Sequence, residues 1–401
     1  MATERAYWLA WSRIKDVGPV TIKRLWEHFG TLAKAWQASA GELLAVDGIG
    51  LLIAERIVAQ RPRLNPAEML AQHEKENQAF WTPADADYPA LLFAINDPPP
   101  LLYYRGSLRL NDFPNLLSVG IVGTRRPSMY GDRWTQRLSS RLAREGAVIV
   151  SGLAQGIDTA AHVSCLKVKG LTVAVLGTGV DVVYPARNGE LHRQIVESGL
   201  VVSEYPDGTG PDRTHFPQRN RIIAGLSRAI LVTEAPTRSG ALITSRLAND
   251  YCREVYALPC ALENTQGEGC LNLINQGAQM ILGEQSLVDS LEAIPAVEAL
   301  LPGRLPGSLA SLPRSADVSF KGAIAPPTHQ PSSATSAATA PVPDLPALLA
   351  QVLKAVSVEP IVLDQIVQLA QLETGQVLSA LLQLEILGLV AQLPGMHYQR
   401  V

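Results

Sequence analysis

Arginines, glycines and hydroxyls recur together at a few places in this sequence, and that combination is anion chemistry. Gly123-Thr124-Arg125-Arg126 runs into Pro127-Ser128, and Ser151-Gly152 opens a stretch that ends Gly156-Ile157-Asp158. Gly177-Thr178-Gly179 leads to Tyr184-Pro185. Ser203-Glu204-Tyr205-Pro206 begins a loop that reaches His215-Phe216-Pro217-Gln218-Arg219-Asn220-Arg221, and Glu234-Ala235-Pro236-Thr237 runs into Arg238-Ser239-Gly240. Backbone N–H groups left open at glycine turns, together with guanidinium forks, hold phosphate oxygens. Tight turns account for the glycines but not for Arg125, Arg219, Arg221 and Arg238. Phe216 beside His215, Arg219 and Arg221 adds an aromatic face among cations, the combination used for single-stranded nucleic acid. A buried core Phe fits the same position.

Other anion chemistries lack their signatures. The first strand ends Gly120-Ile121-Val122-Gly123-Thr124-Arg125 without a dinucleotide G-x-G-x-x-G, and no Walker A pattern occurs. No cofactor is therefore expected. Catalytic groupings are thin. Asp158 and His162, four apart on a helix, read either as an acid/base pair or as a helix-dipole anchor. Glu204 and Glu234 end neighbouring strands without a metal set or a nucleophile, and Ser151 and Ser239 have no evident base. The expectation is a binding protein and no enzyme. Cys165, Cys252, Cys260 and Cys270 form neither a C-x-x-C pair nor a zinc spacing, so no metal site is expected either.

These residues sit where the strands of an α/β core should end. Short β-branched runs at 118–122, 147–150, 172–176, 200–203, 229–232, 254–258 and 279–282 alternate with helical patterns at 131–144, 158–168, 188–198, 218–226, 240–252 and 270–277. That alternation predicts an α/β fold with a doubly wound, Rossmann-like parallel sheet, whose ligands bind outside the carboxyl ends of the strands. From Gly120 to Cys260 the chain holds 15 Arg and 2 Lys against 12 Asp and Glu, although its overall net charge is −3. Arg133, Arg137, Arg141 and Arg144 read as a helix surface; the arginines beside glycines do not.

The 401 residues divide into four parts. Residues 1–75 are a small all-α domain with two similar units, at Val17–Leu25 and Val46–Ile57. The second resembles a helix-hairpin-helix, whose hairpin glycines offer N–H groups to a phosphate; such units serve equally as protein-contact modules. Residues 76–290 hold a Pro-rich extended lead-in and the core, 291–345 are a flexible Pro/Ala/Ser linker, and 346–401 read as three helices, at 347–356, 361–370 and 374–387, and a hairpin, a winged helix. No Lys or Arg lies between Ile361 and Tyr398, while Asp364, Glu373 and Glu385 are acidic. That module reads as a binder of protein, or of its own chain, rather than of DNA. No apolar run approaches a membrane span, and Glu4 and Arg5 interrupt any signal-peptide pattern, so a reduced cytoplasm is the expected setting and no membrane partner is expected.

At these motifs the chain resembles the DNA-processing protein A family, also called Smf. The resemblance runs through Gly123-Thr124-Arg125, the stretch 151–162, Gly177–Asp181 with Tyr184-Pro185, the stretch 216–227 and Arg238–Thr244. The N-terminal Tyr7-Trp8-Leu9-Ala10 with Phe29-Gly30 fits the same layout, as does the C-terminal winged helix. It implies a homodimeric recombination mediator without catalytic activity. Such a protein binds single-stranded DNA without sequence preference and loads a RecA-type recombinase, as in natural transformation. The expected DNA-binding set is Gly123, Thr124, Arg125, Arg126, Ser151, Gly152, His215, Phe216, Arg219, Asn220, Arg221, Arg238, Ser239 and Gly240; carried over by position, the resemblance puts Arg125 first, followed by Arg219 and Arg221 and by the Arg238-Ser239-Gly240 turn. The alternative is a nucleotide N-glycosidase on a related fold. Its P-G-G-x-G-T-x-x-E run is not matched by Thr237–Thr244, which has neither the paired glycines nor the Glu.

Overall fold

The computed structural model describes residues 2–77, 79–108, 110, 117–294, 347–357, 361–372, 376, 377, 380, 381, 383, 384, 389–393 and 397–400. The expected linker, beyond its first four residues, and much of the expected helix at 374–387 lie outside these. The chain forms two compact units, Met1–Ser315 and Ala316–Val401.

The first unit is built on a nine-stranded sheet. Its strands are β1 (Phe80–Trp81), β2 (Leu102–Gly106), β3 (Ser118–Gly123), β4 (Val148–Ser151), β5 (Thr172–Leu176), β6 (Leu200–Ser203), β7 (Ala229–Glu234), β8 (Glu254–Ala257) and β9 (Gln279–Met280). Their order is β1-β2-β6-β5-β4-β3-β7-β8-β9. From β6 to β9 every pair is parallel, the doubly wound sheet expected from the alternation. β-Branched residues at period two bury both faces. Val173 and Val175 point into one core while Ala174 and Leu176 point into the other; Ile230 and Val232 alternate likewise with Ala229 and Leu231.

Helices α8 (Met129–Arg144), α9 (Ile157–Lys167), α10 (Gly189–Ser198) and α14 (Glu284–Glu292) cover one face. Helices α11 (His215–Leu226), α12 (Ala241–Asp250) and α13 (Glu268–Asn275) cover the other. On α8, Leu138 and Leu142 face the core four apart, each burial contributing about 1.5–3 kcal/mol. The opposite side carries arginines, of which Arg137 pairs with Glu284 and Arg141 with Glu145.

The lead-in is more than an extended segment. β1 and β2 add to β6 antiparallel, and α7 (Ala90–Phe93) lies between them in sequence. The helical N-terminus shares a core with it, Trp8 and Trp26 each meeting Phe93 edge-on. Its two similar units adopt one geometry. Asp16 and Gly48 have positive φ, Val17 and Ile49 are buried, and Gly18 and Gly50 cap α2 (Pro19–Phe29) and α5 (Leu51–Gln60). Each helix lends the other hairpin an arginine, as Arg24 pairs with Asp47 and Arg56 with Asp16.

In the second unit, helices Ala347–Ala355 and Leu363–Ala370 accompany an antiparallel sheet in which His397–Arg400 lies between Ile361–Val362 and Val390–Leu393, the layout of a winged helix. Ile361 and Val362, read from sequence as the start of a helix, are its third strand.

Candidate functional site

The chain runs outward through β3, β4, β5 and β6, then returns to lay β7 on the other side of β3. The carboxyl ends of β3 and β7 are therefore the topological switch point, the crevice where open α/β sheets bind ligands. Gly123 and Glu234 lie opposite each other there.

The turn after β3 is held from both sides. The Thr124 N–H donates to the Glu234 carbonyl (2.7 Å) and the Thr124 carbonyl accepts from the Ile157 N–H (3.2 Å). The Thr124 hydroxyl accepts from the Arg126 N–H at 3.2 Å, tightening the turn. Gly156 closes it: at φ +86° a Cβ would lie 2.4 Å from the Thr124 carbonyl oxygen. With its backbone fixed, the turn exposes the side chains of Arg125 and Arg126.

The Arg125 guanidinium lies 5.7 Å from the Phe216 ring centroid, and Phe216 meets Tyr184 at 5.4 Å. Next to them Tyr205 stacks on His215 at 3.9 Å, and the His215 ring bonds the Gly177 carbonyl at 3.1 Å. Arg238 is exposed in the turn after β7, where the Asn220 amide donates to the Gly240 carbonyl at 3.3 Å and so ties α11 to that turn. The Ser239 hydroxyl accepts from the Ala241 N–H at 3.3 Å. Cations and aromatic faces thus share one edge of the sheet.

Four residues of the expected set point inward. Ser151 is buried and donates to the Ile121 carbonyl at 2.6 Å. The Gly152 N–H donates to Asp158 at 3.1 Å and is not open to a phosphate. Arg219, 4% exposed, donates through one Nη to the carbonyls of Gly152 (2.6 Å) and Val175. It lies so close to Gly152 that any Cβ there would collide with the guanidinium. Arg221 is buried between Glu204, its ion-pair partner, and the Asp97 carbonyl, to which it donates at 2.7 Å. The expected solvent-facing cations at 219 and 221 are structural ones instead. Residues two apart on a helix face away from each other, so α11 sends one arginine beneath the rim and the other to the lead-in.

The Asp158–His162 pair is likewise internal. Asp158 accepts from the Gly152 and Ala154 N–H groups, and burial raises its carboxyl above the ordinary range against the opposing charge of Arg219. His162 is fully buried and bonds Thr172 at 2.7 Å; burial first, then the Arg219 charge, push it down to about 3. A histidine in the unfolded chain titrates near 6.5. Below that pH the unfolded state takes up a proton that the folded state refuses, so His162 lowers stability as pH falls. Between pH 7 and 5 its contribution should be about 2 kcal/mol. Thermal melts of the wild type should fall more steeply over that range than those of His162→Asn, and parallel slopes would contradict this.

Arg213, Tyr184 and Tyr205 were not among the expected site residues. Arg213 is exposed in the loop before α11, and its only sequence signal is a cation just upstream of His215-Phe216. Among the described residues no group of His, Cys, Asp or Glu is arranged to hold a metal, and no helix is long and apolar enough to cross a membrane.

Residues 79–292 match the family described as DNA recombination-mediator protein A. Residues 336–396 match the DprA winged helix domain, and residues 11–60 match the helix-hairpin-helix motif. Protein Smf of Synechocystis sp. is 48% identical over 404 residues, covering 99% of both chains. DNA processing protein DprA of Streptococcus pneumoniae is 44% identical over 224 residues, 55% of this chain and 78% of that protein. The X-ray structure of DprA from Streptococcus pneumoniae superposes with a TM-score of 0.61 at 34% identity, over 72% of this chain and 98% of that one.

Proposed function

The chain belongs to the DNA recombination-mediator protein A family, and from that premise we propose that it binds single-stranded DNA without sequence specificity and loads a RecA-type recombinase onto it. The observation that carries the first half is the exposed Arg125 guanidinium over Phe216, with Tyr184 against the same ring, at the switch point. Guanidinium groups hold phosphates whatever the sequence, while the half-buried Phe216 ring and the exposed Tyr184 ring can be stacked on only by a base that is not paired. Arg125, Arg126 and Arg238 are the phosphate contacts in this reading, joined by Arg213, with Phe216 and His215 as the aromatic side. Gly123, Thr124, Asn220, Ser239 and Gly240 shape the turns that carry them. Ser151, Gly152, Arg219 and Arg221 act beneath the surface. The recombinase half rests on the family.

Four phosphate contacts on a single strand give log K falling against log salt with a slope of roughly −3. Anisotropy of a labelled oligonucleotide over a salt series should show that slope, tight single-strand binding and weak duplex binding. A flat salt response would overturn the reading. RecA filament assembly on DNA coated by a single-strand-binding protein, with and without this chain, tests the loading step.

The homodimer has a physical candidate in the open edge at β9. This strand pairs only with β8 among the described residues; Met280 within it and Leu282 just after it are 47% and 73% exposed. An apolar open edge is a template for pairing with a second copy. Met280→Lys with Leu282→Lys should convert a dimer to a monomer in sedimentation, and an unchanged dimer would place the contact elsewhere.

A further inference from the structure

The two most exposed large apolar side chains among the described residues are Met129, at 93%, and Leu262, at 86%. Neither belongs to any of the hydrophobic cores. They come from different segments, the first turn of α8 and the loop between β8 and α13, yet one buried carboxylate holds both segments. Glu234, at the end of β7, accepts from the Ser128 N–H (2.7 Å) and hydroxyl (2.6 Å) on one side and from the Asn264 amide (3.2 Å) on the other. The Tyr130 hydroxyl donates to the Pro259 carbonyl at 2.9 Å, a second tie between them. The apolar pair is therefore carried on clamped backbone rather than on loose loops. Arg126 lies three residues before Met129, so their Cα atoms are within about 11 Å.

We propose that Met129 and Leu262 form an apolar step against which bases of a bound single strand rest, continuing the rim across the switch point. The proposal rests on the reading of that rim as a single-strand interface. Charge and position both favour this occupant, because Met129 follows three residues after Arg126 and the guanidinium groups of Arg125 and Arg126 are exposed, free to fix the strand's phosphates. Apolar wedges of Met and Leu beside phosphate-binding arginines unstack bases in duplex DNA. In a single strand no pairing opposes the insertion, and each base lodged against such a surface gains contact without being read. Glu234 is then a positioning residue, since it sets the step relative to the arginines without touching the strand.

The test uses the full chain and oligothymidylates carrying 2-aminopurine at successive positions. Met129→Ser with Leu262→Ser should weaken single-strand binding about tenfold and abolish the 2-aminopurine fluorescence change at one or two positions. The salt slope should be unchanged, since no phosphate contact is lost. Both side chains are exposed, so the melting temperature should hold. Met129→Leu with Leu262→Met should bind as the wild type does. Wild-type affinity and fluorescence in the double Ser variant would overturn the step while leaving the rim intact. A change in oligomeric state would also overturn it, by assigning the patch to a contact between copies. Failure of the wild type to bind, or a flat salt response, would instead remove the rim reading and the step with it.

Discussion

Replacing Arg219 with Met should cost the fold about 3–5 kcal/mol, the range for breaking a buried charged network by removing one partner. The guanidinium is enclosed beneath the rim, where it serves the carbonyls of Gly152 and Val175 and offsets the charge of buried Asp158. Burial pulls it down to about 10, still far enough above neutral to stay charged. Methionine fills the space but leaves both carbonyls and the carboxylate without the cation. A folding unit of this size loses about 2–4 °C in Tm per kcal/mol, so the melting temperature should drop by roughly 10 °C. Any fall in DNA affinity should follow the unfolded fraction, and a melting temperature unchanged from wild type would show that the network does not need the cation.

Arg125→Ala should do the reverse. The side chain is exposed, and its one described contact is the Phe216 face, so the melting temperature should stay within about 1 °C of wild type. Single-strand affinity should fall between about 10- and 100-fold, the loss of a charge-assisted phosphate contact and of a cation over the ring. The salt slope should become shallower by about 0.7, one phosphate fewer. Arg125→Lys should restore the slope, because the charge returns, but only part of the affinity, because an ammonium neither forks nor stacks. Unaltered affinity in the folded Ala variant would move the interface away from this edge. The two arginines, both placed on the DNA by sequence reasoning, thus separate cleanly: one is read by melting, the other by binding.

The core was legible because its signal is local. Runs such as Thr172–Leu176 and Ala229–Val232 are β-branched at period two between helical stretches, and seven of the nine strands in the main sheet follow from that alternation. β1 and β2 were not legible. Phe80–Trp81 is too short to show a period, and Leu102 and Tyr103 are both buried, so the pattern has no polar face. What makes them strands is pairing with β6, a partner distant in the chain.

By itself the sequence determined the fold class, the family and the edge of the sheet where the arginines and glycines collect, because turns, periods and long motifs are properties of neighbouring residues. Only the tertiary structure decided which of those arginines faces solvent. Arg219 and Arg221 are as basic as Arg125 and lie in an equally dense motif, but the direction of a side chain depends on what its backbone packs against. A helix laid across β4 and β5 gives Arg219 two carbonyls, and the lead-in gives Arg221 a carboxylate and a carbonyl. The clamp at Glu234, which joins residues 128 and 264, likewise exists only once β3 and β7 lie side by side.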